Sequence, residues 1–431
     1  MKDSINIGLI GLGTIGSGVA RILSQKASLI TQHTGIPLVL KSVADLDKTR
    51  KEGLPDPGIF TTDAGEIIND PAIDIVIELI GGENPARDFI EQSLRNKKHV
   101  VTANKEVLAK HGPELLLLAN KNEVGLCYEA SVGGGIPLIA PLKHNLQVNN
   151  ITAIHTIING TTNYILTRME KEGLEFSAAL EEAQSLGYAE ADPTSDVEAF
   201  DAAYKLAILA TIAFHTDVRP GDIYREGISR ISSQDFNYAA ELGYAIKLLA
   251  ITRKVADSFQ ARVHPVFIPK EMLLAKVDGV YNAVQIEGDL SGRVIFYGRG
   301  AGSEPTANVV VADAIRMAQY VKLGIGVNPE IPLNQPKTIK PMSEIETRYY
   351  LRMTITDQAG VLAGITRILG DLSISISSAI QKETDRQSQS AEIVIMTHPA
   401  REKAMQDALE KMKGLDTVRE ISNLIRVEDF D

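Results

Sequence analysis

Apolar runs alternate with amphipathic stretches along the first third of the chain. Buried strands are predicted near 5–10, 38–44, 74–82, 98–105 and 125–130, and helical periodicity fills the intervals between them. Strands that are apolar throughout and separated by helices are typical of a parallel sheet covered on both faces. The pattern therefore predicts an α/β domain at the start of the chain.

The first strand leads directly into a glycine-rich turn. Gly11, Gly13 and Gly16 have the G-x-G-x-x-G spacing, and a helix follows at once. Such glycines permit a tight turn, close approach of a pyrophosphate and close packing of strand and helix. The motif indicates a Rossmann domain that binds a dinucleotide, and the alternative is a glycine-rich turn without a ligand.

The second predicted strand ends at Asp45. An acid at this place would bind the ribose hydroxyls and favour NAD. Lys48 and Arg50 follow closely and are able to bind a 2′-phosphate instead. The sequence leaves NAD and NADP open.

Three successive glycines, 133–135, interrupt the α/β pattern. From the residues alone they favour a hinge or domain crossover, and the alternative is a loop whose carbonyl oxygens surround a ligand or ion. Mixed strands and helices from 137 to 300 predict a second, α+β domain.

The stretch from 187 to 205 is rich in carboxylates and is predicted to run into a buried helix. Pro193 suits the first turn of that helix. Asp201 and Lys205 are four residues apart and share a helix face. An ordinary ion pair is one interpretation, and proton transfer is the other, because a lysine on an apolar helix needs a reason to be there.

The last third of the chain divides into three parts. Residues 297–306 form a second glycine-rich helix start, expected to return to the dinucleotide domain near the cofactor, unless it is a plain loop capped by Ser303. Residues 323–345 contain several prolines and no periodicity, which predicts a linker. Residues 346–431 read as a ferredoxin-like βαββαβ domain. We assign 1–136 with 301–322 to the dinucleotide-binding domain and 137–300 to a substrate and dimerisation domain.

Composition excludes several classes of function. The net charge of −11 argues against nucleic-acid binding. The one cysteine, Cys127, excludes an intramolecular disulfide and a cysteine zinc site. The N-terminus shows no signal-peptide pattern, and no apolar run approaches the length of a membrane span, so a cytoplasmic, soluble protein is expected.

Several motifs together resemble homoserine dehydrogenase of the long bacterial form. The most specific are Asn-Gly-Thr-Thr-Asn at 159–163, Gly-Tyr-Ala-Glu-Ala-Asp-Pro at 187–193 and Asp-Ala-Ala-Tyr-Lys at 201–205. Thr-Ala-Asn-Lys at 102–105 and the segment 129–135 also resemble that family. The C-terminal domain resembles an ACT domain, a module that binds amino acids.

The resemblance implies reversible reduction of L-aspartate 4-semialdehyde to L-homoserine with NADP or NAD. Lys205 would be the general acid, and Lys105, between substrate and cofactor, would share the proton transfer, although spacing does not decide which lysine delivers the proton. Glu190, Asp201 and Asp196 would bind the substrate. The glycine motif and the resemblance together place the cofactor against Gly11, Gly13, Thr14, Ile15, Gly16, Asp45, Lys105, Gly187 and Gly302.

The resemblance also implies a monovalent cation, expected to be sodium. The backbone carbonyls implied to hold it are those of Glu129, Val132, Gly134 and Ile136, which reverses the hinge interpretation of the glycine run.

Further expectations follow for regulation and assembly. The resemblance places an amino-acid effector, expected to be threonine, at Asp357, Gly360, Val361 and Leu362. It also implies a homodimer or homotetramer. The alternative function is a nucleotide-binding amino-acid sensor without dehydrogenase activity, and an ACT-bearing dehydrogenase for 2-hydroxy acids fits less well.

Overall fold

The computed structural model describes residues 3–54, 56–324, 332–381 and 389–430. The α-helices are α1 (Thr14–Gln25), α2 (Ala27–Thr34), α3 (Ala64–Asn69), α4 (Ala86–Arg95), α5 (Lys105–Lys121), α6 (Gly160–Glu172), α7 (Phe176–Ser185), α8 (Thr194–Val197), α9 (Phe200–Phe214), α10 (Ser233–Leu242), α11 (Ser303–Leu323), α12 (Val361–Asp371) and α13 (Glu402–Lys413).

The strands are β1 (Ile5–Ile10), β2 (Leu38–Ala44), β3 (Phe60–Thr61), β4 (Ile75–Glu78), β5 (His99–Thr102), β6 (Leu126–Cys127), β7 (Ile151–Ile157), β8 (Tyr224–Arg225), β9 (Tyr244–Val255), β10 (Ser258–Pro269), β11 (Tyr281–Gly288), β12 (Gly292–Arg299), β13 (Glu346–Thr356), β14 (Ile376–Gln381), β15 (Ser390–Thr397), β16 (Ala400–Arg401) and β17 (Val418–Val427). Among the described residues, no helix has the length and apolar character needed to span a membrane.

The chain divides into two compact units. Unit 1 consists of 1–154, 202–223 and 280–337, and unit 2 consists of 155–201, 224–279 and 338–431. The division falls inside β7 and inside α9. These two units do not correspond to the domains that the sequence predicts, and the predicted domain boundaries stay a prediction.

Unit 1 contains a parallel sheet with the strand order β3-β2-β1-β4-β5-β6. Strands β1, β4, β5 and β6 are largely buried, and α1 and α11 pack on the sheet with one apolar core. The predicted α/β, Rossmann-like fold is thereby confirmed. Because β1 and β4 are neighbours while the chain leaves them in opposite directions along the sheet, a ligand crevice is expected at their carboxyl ends.

Unit 2 contains the βαββαβ arrangement predicted for the C-terminus. Strands β17, β13, β15 and β14 are antiparallel neighbours, and α12 and α13 bury their apolar faces against them. The hairpin β9–β10 belongs to the same unit, and β10 pairs with β17 in parallel. The predicted ferredoxin-like fold is confirmed.

One helix prediction was wrong. The single helix expected after Pro193 is divided into α8 and α9, because Ala199 adopts a left-handed conformation with φ of 63° that no α-helix continues. Pro193 is the residue before α8 rather than part of its first turn. The helical segment that follows the glycine run contains a π-helix at Pro141–Asn145.

Candidate functional site

The turn after β1 has the geometry that the glycine motif predicts. Gly11 has a φ of 98°, in the region that favours glycine. A Cβ atom at Gly16 would lie 2.0 Å from the Gly11 carbonyl oxygen, so only glycine allows the helix to start so close to the strand. Thr14 and Ile15 form the first turn of α1, whose backbone N–H groups suit a pyrophosphate.

Asp45 lies directly against this turn. The Leu12 N–H donates to Asp45 Oδ2 over 2.6 Å, and the Asp47 N–H donates to Oδ1 over 2.9 Å. Arg50 Nη1 is 3.1 Å from Asp45 Oδ2. Asp45, which would favour NAD, and Arg50, which is able to bind the 2′-phosphate of NADP, therefore both lie beside the glycine turn.

The start of α11 reaches the same place in unit 1. The Ser303 hydroxyl donates to the Thr14 carbonyl over 2.7 Å. Gly302, the residue before α11, is therefore next to the first turn of α1. Residues of α1 and α11 share one apolar core in unit 1.

Lys105 is the first residue of α5, at the carboxyl end of β5. Asn104 caps the helix by accepting from the Val107 N–H over 3.0 Å, and its amide donates to the carbonyl of Gly82 over 2.8 Å. Lys105 is half-buried. This places a lysine at the edge of the sheet where the ligand crevice is expected.

Glu78 lies below this edge in the core. Its Oε2 accepts from the Thr102 hydroxyl over 2.6 Å, and Glu78 has no exposed surface. Burial raises the pKa of Glu78 to about 7, although the Thr102 hydrogen bond opposes the rise.

Helix α9 packs against α5 within unit 1. Leu108 and Gly112 of α5 line the same small cavity as Ile208 of α9. The ammonium of Lys110 lies 5.8 Å from the centre of the Tyr204 ring. Lys105 and Lys205 are thus carried by two helices that pack against each other.

Asp196 and Asp201 are brought together in unit 2. Asn159 Nδ2 donates to Asp196 Oδ1 over 2.6 Å and to Asp201 Oδ2 over 2.8 Å. Asp201 is 2% exposed. Lys205 follows Asp201 by four residues, which is one turn of α9.

Glu190 and Gly187 lie in the loop between α7 and α8, and both are exposed. The loop is held by its backbone. The Tyr188 carbonyl accepts from the Thr161 hydroxyl over 2.7 Å, and the Glu190 carbonyl accepts from Gln184 Nε2 over 3.0 Å. Asn159 joins Asp196 with Asp201 through hydrogen bonds. At Glu190 the bond described is made by the backbone carbonyl and not by the carboxylate.

The glycine run in unit 1 is fixed in place rather than loose. Gly134 has a φ of 56°, and a Cβ there would lie 2.3 Å from the Gly300 carbonyl oxygen. The Gly135 N–H donates to the Arg299 carbonyl over 3.2 Å. Such contacts do not suit a hinge.

Glu129 has a second role that sequence reasoning missed. Its buried carboxylate accepts from the N–H groups of Leu138, Ile139 and Ala140 over 2.5, 2.6 and 2.7 Å. It therefore caps the helical turn that follows the glycine run. In the described ranges, no group of three or more His, Cys, Asp or Glu side chains could hold a metal ion. A cation at this loop would depend on backbone carbonyls, including those of Val132 and Ile136.

The predicted effector residues lie in unit 2, where β13 turns into α12. Gly360 precedes the helix with a φ of 90°, and Val361 is buried. Asp357 and Leu362 are exposed. These positions present polar and apolar surface to solvent at the start of one helix.

Three family models match the chain. One described as homoserine dehydrogenase matches residues 137–315, and one described as its NAD binding domain matches residues 11–129. A model for the ACT domain matches residues 349–417. Together they extend from the glycine turn to residue 417, directly before β17.

Relatives match over nearly the full length. The homoserine dehydrogenase of Synechocystis is 45% identical over 435 residues, which covers 98% of this chain and 99% of that protein. The crystal structure of a homoserine dehydrogenase from Thiobacillus denitrificans has a TM-score of 0.92 and 42% identity, and covers 99% of both chains. A hyperthermophilic archaeal homoserine dehydrogenase in complex with NADPH has a TM-score of 0.63 and 28% identity, and covers 73% of this chain and 98% of that one. The chain belongs to the homoserine dehydrogenase family of oxidoreductases.

Proposed function

We propose that this enzyme catalyses the reversible, NAD(P)H-dependent reduction of L-aspartate 4-semialdehyde to L-homoserine. The observation that carries the proposal is the pairing of Asp201 with Asp196, one helical turn before Lys205. Carboxylates suit the α-ammonium group of the substrate, and a lysine suits the carbonyl at its other end.

The chain's own groups bind the substrate and move a proton. When bound, the nicotinamide supplies the hydride that adds to the aldehyde carbon. Lys205 donates a proton to the carbonyl oxygen as negative charge develops there, and in the reverse direction it removes the hydroxyl proton of homoserine. Asp201, Asp196 and Glu190 bind the ammonium group, and Lys105 lies between substrate and cofactor.

The decisive experiment compares Lys205→Ala with wild type in the oxidation of homoserine. Loss of a general acid is expected to lower kcat by about 10²–10⁴-fold, while the Kd for NADPH, followed by its fluorescence, stays within about twofold. Lys105→Ala is the matched comparison, and it is expected to weaken cofactor and substrate binding as well as kcat. Near-normal homoserine oxidation by Lys205→Ala would contradict the assignment.

For the coenzyme, we propose that NADP(H) is accepted, with Arg50 binding the 2′-phosphate. Arg50 lies beside the glycine turn at Asp45, and the archaeal relative is in complex with NADPH. Arg50→Ala is expected to lower the ratio of kcat/KM for NADPH over NADH at least tenfold. Lys48→Ala, in the same turn, is the control and should change the ratio less. An unchanged ratio in Arg50→Ala would remove this role.

For the cation, we propose sodium bound by the carbonyls of Glu129, Val132, Gly134 and Ile136. Support comes from the left-handed glycines that hold this loop against Gly300. Replacing sodium by a large organic cation at constant ionic strength should lower the midpoint of thermal unfolding as well as the activity. Equal midpoints would count against the site.

For regulation, we propose that L-threonine binds at Asp357, Gly360, Val361 and Leu362 and inhibits the enzyme, and that the protein is a homodimer or homotetramer. Initial rates against rising L-threonine test the first point, and a flat response would contradict it. Light scattering tests the second. A protein that binds NADPH and threonine but turns over neither substrate would favour the sensor function instead.

A further inference from the structure

Asn159 stands at the turn between β7 and α6, and its amide has a fixed orientation. Its Oδ1 accepts from the Thr162 N–H over 2.9 Å and from the Thr162 hydroxyl over 3.1 Å. The side chain is 5% exposed. Because the oxygen caps α6, the NH2 group must face away from that helix.

The NH2 group faces two carboxylates. Its contacts with Asp196 and Asp201, at 2.6 and 2.8 Å, use both of its hydrogens. Two ionised carboxylates around one nitrogen repel each other, and a shared donor offsets part of that repulsion. The same donor fixes how the two carboxylates are placed relative to each other.

We infer that Asn159 is a positioning residue for substrate binding, which sets the spacing of Asp196 and Asp201 around the substrate ammonium group. The inference rests on the proposed function, because that function gives the two carboxylates their ligand. Asn159 acts through the carboxylates and needs no contact with the substrate.

Asn159→Asp tests this with little change of shape. The new carboxylate keeps an oxygen for the cap to Thr162 and replaces the NH2 group by a third negative oxygen. We expect KM for L-homoserine to rise at least tenfold, with a smaller change in kcat. The acid limb of the profile of kcat/KM against pH should move to higher pH, because a crowded carboxylate protonates more readily and then no longer attracts an ammonium group.

Two further variants separate positioning from folding. Asn159→Ser keeps a cap acceptor without adding charge, so it should raise KM with a smaller movement of the acid limb. Asn163→Asp is the matched control on the same helix, since the Asn163 amide donates to the carbonyls of Val277 and Gly279. It should lower thermal stability and leave the pH profile in place. The Kd for NADPH should stay the same in all three.

Each result decides one point. If the wild type oxidises homoserine while Asn159→Asp and Asn159→Ser keep its KM and acid limb, the inference is wrong and the proposed function stands. Equal shifts in Asn163→Asp would also overturn the inference, because they would show a general effect of α6. If the wild type does not turn over homoserine, the proposed function is wrong and the inference falls with it.

Discussion

Arg426 of β17 offers the sharpest test of the electrostatics in unit 2. Its guanidinium, 2% exposed, makes bonds of 2.6 and 2.8 Å to Glu402 and bonds of 2.9 and 3.0 Å to Glu226. Tyr224 accepts a fifth bond over 3.3 Å. Glu402 is 3% exposed and also accepts from the Tyr349 hydroxyl over 2.8 Å. Arg426 and Glu402 form a buried ion pair, whereas Glu226 is partly exposed.

The perturbation is Arg426→Met, which keeps much of the apolar stem and removes the charge. Removing one partner of a buried pair leaves the other charge uncompensated, at a cost of about 3–5 kcal/mol in the free energy of unfolding. Glu402 is the group left behind, because Glu226 is partly exposed and can be hydrated. Arg419→Met, an exposed arginine of the same strand, is the control and should change that free energy by less than about 0.5 kcal/mol.

The contribution of Glu402 to the pH dependence of the free energy of unfolding should change sign in Arg426→Met. Burial by itself raises the pKa of Glu402, but the hydrogen bonds and charge of Arg426 hold it below its ordinary value. In the wild type this pair therefore adds stability above the pKa of the unfolded carboxyl, and the gain is lost as pH falls. Without Arg426, burial dominates and the pKa rises. Glu402 then makes stability decline as pH increases towards the raised value.

Urea unfolding followed by far-UV circular dichroism measures both effects, at about pH 5.5 and about pH 8. The destabilisation by Arg426→Met should be larger at the higher pH, because Glu402 can accept a proton at the lower one. A loss below about 1 kcal/mol, or an equal loss at both pH values, would refute the reasoning.

Three further predictions use the same measurement. Burial raises the pKa of Glu78 from its ordinary value of 4.5 to about 7, so the free energy of unfolding of the wild type should fall by on the order of 3 kcal/mol as pH rises between these two values. Glu78→Gln should remove this pH dependence, and an unchanged dependence of stability on pH would contradict the prediction. Lys97 is exposed with a φ of 55°, so Lys97→Gly should raise the free energy of unfolding by about 1 kcal/mol, and a decrease would show that the conformation is not strained. Glu129→Gln places an NH2 group among three N–H donors, so a loss of about 2–4 kcal/mol is expected, whereas a neutral result would mean that its oxygen alone suffices.

The nucleotide-binding half was predictable because its signals are local. The turn at 11–16 needs glycine for reasons within six residues, and Asp45 follows a strand that reads as buried by itself. The C-terminal βαββαβ order was predictable for the same reason. The hydrogen bond from Ser303 to Thr14 was not predictable in this way, because it joins positions 289 residues apart.

The break between α8 and α9 could not be predicted from the sequence. Alanine is a good helix former, so the sequence gives no reason to end a helix at Ala199. The structure holds that left-handed residue by tertiary contacts, including the Ile228 N–H donating to the Val197 carbonyl over 2.9 Å. Local propensity is weak compared with such packing.

The sequence by itself determined the residue types of the site: a dinucleotide turn, an acid after the second strand, and a lysine one helical turn after an aspartate. Only the tertiary structure decided which groups meet. Asn159 reaches Asp196 and Asp201 across 37 and 42 residues. The Glu129 carboxylate caps a helical turn, whereas the sequence predicted a role only for the backbone carbonyl of that residue. Periodicity and turn chemistry are short-range effects, whereas the partner of a buried polar side chain depends on how distant segments pack.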